Sequence, residues 1–164
     1  MLVSVRVRRL IALMLACAAA VLGMSIVLGS GRAQAGDKVS HTCSAADKQF
    51  LGTVSSNMEQ LGYWSTSLLA NDVAPVVVVK QARSEADQVD ATRPTDPSLK
   101  TTRTLLRTMF LQYAAAVWAR SHGGNAGVHM QLSYTLANEV HGLLVDAAPE
   151  LTPRGCNVAP LLES

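Results

Sequence analysis

The sequence predicts an all-α fold: a four-helix, up-down bundle-like domain behind an N-terminal signal peptide. Three observations carry this reading. Apolar residues recur at three- and four-residue steps through four segments of about twenty residues each. Proline, glycine, asparagine or aspartate stands wherever one segment gives way to the next. No run of alternating apolar and polar residues exists to give a strand its partner.

The first segment is CSAADKQFLGTVSSNMEQLGYWSTSLLAND. Ser44 is the expected N-cap, with Asp47 as an acidic partner three residues on. Phe50, Leu51, Val54, Met58, Leu61, Trp64, Leu68 and Leu69 form one helical stripe ending near Ala70. Gly52 and Gly62 weaken it, since a mid-helix glycine costs roughly 1 kcal/mol against alanine.

The second segment opens NDVAPVVVVK, with Asn71 or Asp72 as the expected cap and Pro75 in the first turn. Taken alone, Val76 to Val79 favour a strand, because β-branched side chains suit a sheet. Ala82, Ala86 and Val89 continue from Val79 at helical spacing, and that decides for helix. Glu85 stands one turn from Gln81 and Val89, at the border of this stripe.

A linker over residues 90–98 follows, and Asp96 with Pro97 marks the third start as N-cap and N1. Its stripe is Leu99, Leu106, Met109, Phe110, Tyr113, Ala114, Val117 and Trp118, broken by SHGGNAG at residues 121–127. The fourth segment places Leu132, Leu136, Val140, Leu143 and Ala147 on its buried side, with Pro149 as its end. Such segments fit an up-down bundle, and the long linker over 90–98 also allows a less regular arrangement.

The chain begins MLVSVRVRR, continues with apolar or small residues from Leu10 to Leu28, and reaches an A-x-A site at Ala33 and Ala35. A basic start, an apolar core and a small-residue site together predict a signal peptide over residues 1–35, cut before Gly36. The competing reading is a retained anchor, because the apolar run nearly suffices to span a bilayer. The expected mature domain is residues 36–164, secreted to the cell envelope or beyond. Two of the three cysteines, Cys43 and Cys156, lie in it, and an oxidising destination predicts one disulfide between its two ends.

Charge excludes one class of partner. Four of the fourteen basic residues lie at or before Arg32, which leaves ten against twelve acidic ones in the mature part. No basic run survives, so no nucleic-acid partner is expected. Phosphate-loop, dinucleotide, hydrolase-elbow, zinc-protease and EF-hand signatures are all missing from the sequence. No metal and no cofactor is expected, since the histidines and cysteines lack ligand spacing.

The expected function is therefore non-enzymatic interaction with a protein or envelope component. Two alternatives rest on particular residues. Met109, Tyr113, His129 and Tyr134 are types that line a cavity for a small hydrophobic ligand such as haem or lipid. Lys100, Arg103 and Arg107 nearly align on one helix face, where an enzyme would meet an anionic substrate.

Overall fold

The computed structural model describes residues 42–163. The signal-peptide reading of residues 1–35 lies outside them. The described residues contain four long helices packed against one another and no strand. These are α1 (Ala45–Ala70), α2 (Pro75–Ala91), α3 (Pro97–Ser121) and α4 (Ala126–Leu151). A 3-10 turn (Thr152–Arg154) and a short α5 (Ala159–Leu162) complete the chain.

Ser44 caps α1 as its side chain suggests: its Oγ accepts the Asp47 N–H at 3.0 Å and donates to the Asp47 carboxylate at 2.7 Å. The cap expected for α2 belongs instead to the end of α1. Asn71 adopts a left-handed conformation, φ 64°, and its N–H bonds back to Leu68. Asparagine is one of the few residues that accept this conformation. The N-cap of α2 is Ala74, with no side-chain bond. Pro75 at its first position makes this tolerable, because proline lacks one of the N–H groups that a cap would satisfy. The valine run is helical, and rotation sends only half of it inward: Val78 and Val79 are buried, Val76 and Val77 exposed.

Two expectations for α4 need correcting. Its buried line is Ser133, Val140, Leu144 and Leu151, whereas Leu132 is exposed and Leu136, Leu143 and Ala147 are only half-buried. The helix is rotated by about one residue from the expected register. Apolar residues occupy both lines, so hydropathy alone does not choose between them. The small Ser133 can face α3 directly, and its Oγ donates to the Met109 carbonyl at 3.2 Å. Pro149 also does not end the helix, which continues to Leu151. Proline there forfeits one backbone bond in the last turn, while the next turn closes through Thr152 N–H to Ala148 and buries Leu151.

The core has two parts. One, toward the chain ends, joins Phe50, Val54, Leu99, Leu106, Phe110, Leu144 and the tail residues Val158 and Leu161. The other gathers Val78, Val79, Ala82, Ala114 and Val117 against Leu61, Trp64 and Leu68. Helix α3 packs closely on both α2 and α4, and α5 touches both α1 and α4.

One polar knot ties the chain-end side together. Asp47 is fully buried, and accepts the Thr95 and Asp96 N–H groups at 2.7 and 3.1 Å and the Thr95 hydroxyl at 2.8 Å. Asp96 in turn caps α3 and pairs with Arg154 at 2.8 Å, and the Arg154 carbonyl accepts the Cys43 N–H. Burial alone would raise the Asp47 pKa. The bonds from Ser44, Asp96 and Thr95 outweigh it and hold the carboxyl at about 2. A carboxyl with a lowered folded pKa stabilises above its unfolded pKa, near 3.8, and loses that contribution as pH falls through about 2. Asp47→Asn is therefore expected to cost about 2 kcal/mol at pH 7 and little near pH 2, measured by urea unfolding at both pH values.

Candidate functional site

The side remote from the chain ends is built by three local signals. Helix α3 ends where His122 and Gly123 leave helical geometry, Gly123 at φ 72°, a conformation glycine adopts without strain. The Gly124 N–H closes the turn on the Ala119 carbonyl at 2.7 Å. Asn125 then caps α4 by accepting the Gly127 N–H at 3.2 Å. The His122 ring stacks on Trp118 with centroids 3.7 Å apart.

Large apolar side chains are left in solvent around this tip. Trp118 is 47% exposed, Val128 62% and Tyr134 69%, and Met130 and Leu132 are exposed as well. Tyr63 and Leu69 near the end of α1, and Val76 and Val77 at the start of α2, are also exposed. A single exposed leucine is ordinary in a folded protein, whereas here several large apolar side chains stand exposed in one part of a small domain.

A groove of about 220 Å³ lies below the tip, floored by Val54, Met58, Leu106, Met109, Val140 and Leu144. Tyr134, Asn138 and His141 supply its polar groups. Of the four residues read as cavity-lining, the structure brings Met109 and Tyr134 together here. Tyr113 lies elsewhere, its hydroxyl 2.7 Å from Ser65 Oγ on α1 and its ring against the second core cluster. The Nδ1 of His129 sits 2.8 Å from Gln112 Oε1, tying α4 to α3. Asn138 and His141 were missed as groove residues. Their spacing from Tyr134, four and seven along a helix, is the signal that places them on its side.

The three cations of α3 do not converge on an open site. Arg103 donates to the carbonyls of Asp90 and Thr92 at 3.3 and 3.1 Å. Those are the last carbonyls of α2, whose final turn carries no basic residue of its own, and a guanidinium complements that helix end. Arg107 reaches Asp90 at 3.7 Å, with both side chains about half exposed. Lys100 is exposed to solvent. Among the described residues, no three His, Cys, Asp or Glu side chains gather closely enough to hold a metal ion.

Cys43 and Cys156 stand at disulfide distance, Sγ to Sγ 2.03 Å, and both are buried. The pair is compatible with an oxidising compartment. Among the described residues no helix is long and apolar enough to cross a membrane. No protein-family model, curated protein or solved structure matches this chain.

Proposed function

We propose that this chain is an exported, non-enzymatic domain of the cell envelope or its surroundings, and that it acts by binding a partner through the tip between α3 and α4. The observation that carries the reading is the set of exposed apolar side chains there, Trp118, Val128, Met130, Leu132 and Tyr134. Leaving them in water forgoes roughly 25 cal/mol for every Å² that a partner could cover. Export by cleavage before Gly36 and the up-down order of the helices belong to the same reading. Connections of four or five residues between helices of 17 to 26 residues favour such an order, because so short a link returns the chain alongside itself.

The two alternatives are less well supported. A groove of about 220 Å³ is smaller than the roughly 300–1,000 Å³ of sites for drug-sized ligands, and smaller still against a whole haem. An anion-binding enzyme needs arginines turned toward a substrate, and Arg103 is turned toward the end of α2.

Hydrogen exchange read by mass spectrometry tests the proposal. The chain recovered from its host's medium should begin at Gly36. Mixed with the host's envelope fraction, it should gain protection in the peptides spanning residues 118–134 and little elsewhere. Unchanged exchange at the tip in every envelope and medium fraction would sink the interaction reading.

A further inference from the structure

The tip differs from the rest of the domain in charge. From Thr108 to Asn138, 31 residues, the only formal charge is Arg120. From Pro97 to Asn138 no carboxylate occurs; Lys100, Arg103 and Arg107 belong to the first half of α3, toward the end of α2, so Arg120 is the cation of the tip itself. Several carboxylates lie away from this turn: Asp87 and Asp90 close α2, Asp146 and Glu150 close α4, and Glu163 lies in the tail, while Asp72 stands in the α1–α2 connection. An anionic surface would attract the α3–α4 tip through Arg120, with no carboxylate between Pro97 and Asn138 to oppose it.

The arrangement of the apolar groups discriminates between kinds of partner. Val128 and Leu132 stand one turn apart on α4, and so do Met130 and Tyr134. Two residues advance a helix by about 200°, so these pairs leave α4 on nearly opposite sides. Trp118 adds a third position, on α3. A helix flanking a soluble core ordinarily keeps its remaining sides polar. A folded protein partner covers one side of such a tip; a fluid apolar medium covers all of them.

We infer that the α3–α4 tip docks into an anionic lipid surface, with Trp118, Val128, Met130, Leu132 and Tyr134 entering the interface and Arg120 at the headgroups. The inference rests on the interaction reading above and gives its partner a chemistry. Tryptophan favours the interfacial zone, and arginine keeps its charge at the headgroups while its stem lies on apolar ground. Insertion is shallow, since no described helix is long and apolar enough to cross a membrane.

The experiment uses the full chain with Trp64→Phe, which leaves Trp118 as its sole tryptophan. Vesicles are phosphatidylcholine alone, or with about one third phosphatidylglycerol, each with and without brominated acyl chains. Trp118 reports the tip's own contact with lipid, whatever holds the rest of the chain to the vesicle. The expected result is a blue shift of its emission and quenching by brominated chains, both stronger with phosphatidylglycerol. Val128→Ser with Leu132→Ser should abolish both while far-ultraviolet circular dichroism stays unchanged. Arg120→Glu should weaken the response to phosphatidylglycerol vesicles about fivefold or more, from the worth of one cation near an anionic surface. Unshifted, unquenched Trp118 emission overturns the inference, as does a response indifferent to Arg120→Glu or to the double serine change. If envelope fractions still protect residues 118–134 in that case, the partner is a protein: the lipid inference fails and the interaction reading stands.

Discussion

Replacing Cys156 with serine is expected to destabilise the domain by about 5 kcal/mol, the largest single loss that any side chain here should produce. The two cysteines are 113 positions apart, so their bond joins the ends of nearly the whole described chain. In the chain-entropy account a cross-link stabilises by restricting the unfolded ensemble, and the restriction grows with the logarithm of the loop. A domain whose total stability is roughly 5–15 kcal/mol is left marginal by such a loss. The bond also has a local task. It holds Cys43 beside Arg154, whose carbonyl accepts the Cys43 N–H and whose guanidinium reaches the Asp96 cap. Guanidinium chloride unfolding of the variant should show a lower midpoint, and reduction of the wild type should reproduce it. An unchanged midpoint after verified reduction would contradict this account.

Glu85→Gln is expected to stabilise the domain by about 3 kcal/mol at pH 9 and to change it little at pH 4. Glu85 is fully buried on α2. Its Oε1 accepts from Gln81 at 3.4 Å, and its Oε2 has no partner. Neither of the ion pairs among the described residues includes it. Burial raises its pKa from 4.5 to about 7, and the weak bond from Gln81 only partly opposes this. Between those two values the folded protein holds a proton that the unfolded chain has released. Stability therefore falls as pH rises from about 4.5 to 7 and levels off above, where both states are ionised. Glutamine keeps the shape and the acceptor while removing the charge. Urea unfolding from pH 4 to 9 should give a descending curve for wild type and a flatter one for the variant; parallel curves would refute the assignment.

The interface of α1 with α2 explains how this acid comes to be buried. Asn57 donates to the Glu85 carbonyl at 3.2 Å, and Gln81 donates to Gln60 across the same seam at 2.9 Å. In the sequence Glu85 borders an apolar stripe; how far under α1 it lies depends on where α1 crosses α2. The Asp47 knot has the same character. Both caps were legible, Ser44 with Asp47 and Asp96 with Pro97, but nothing local joins residues 47 and 95. The groove was half legible: Met109 and Tyr134 meet in it, while Tyr113 and His129 serve contacts between helices.

What the sequence by itself determined were the number and type of the long helices, the starts of α1 and α3, and the cysteine pair. Those follow from local causes: three- and four-residue periodicity, the caps Ser44 and Asp96, proline at the first turns of α2 and α3, and the two cysteines of the expected mature domain. Tertiary structure alone decided which of two apolar lines on α4 turned inward, that α4 ran past Pro149, and that Asn71 closed one helix rather than opening the next. It also decided which polar groups were buried and which apolar ones were left outside. Hydropathy reports a residue's preference for the interior, not whether a neighbouring helix arrives to cover it. Trp118 continues the stripe of α3 as well as Val117 does, yet it stands at the helix end where packing stops, and it is exposed.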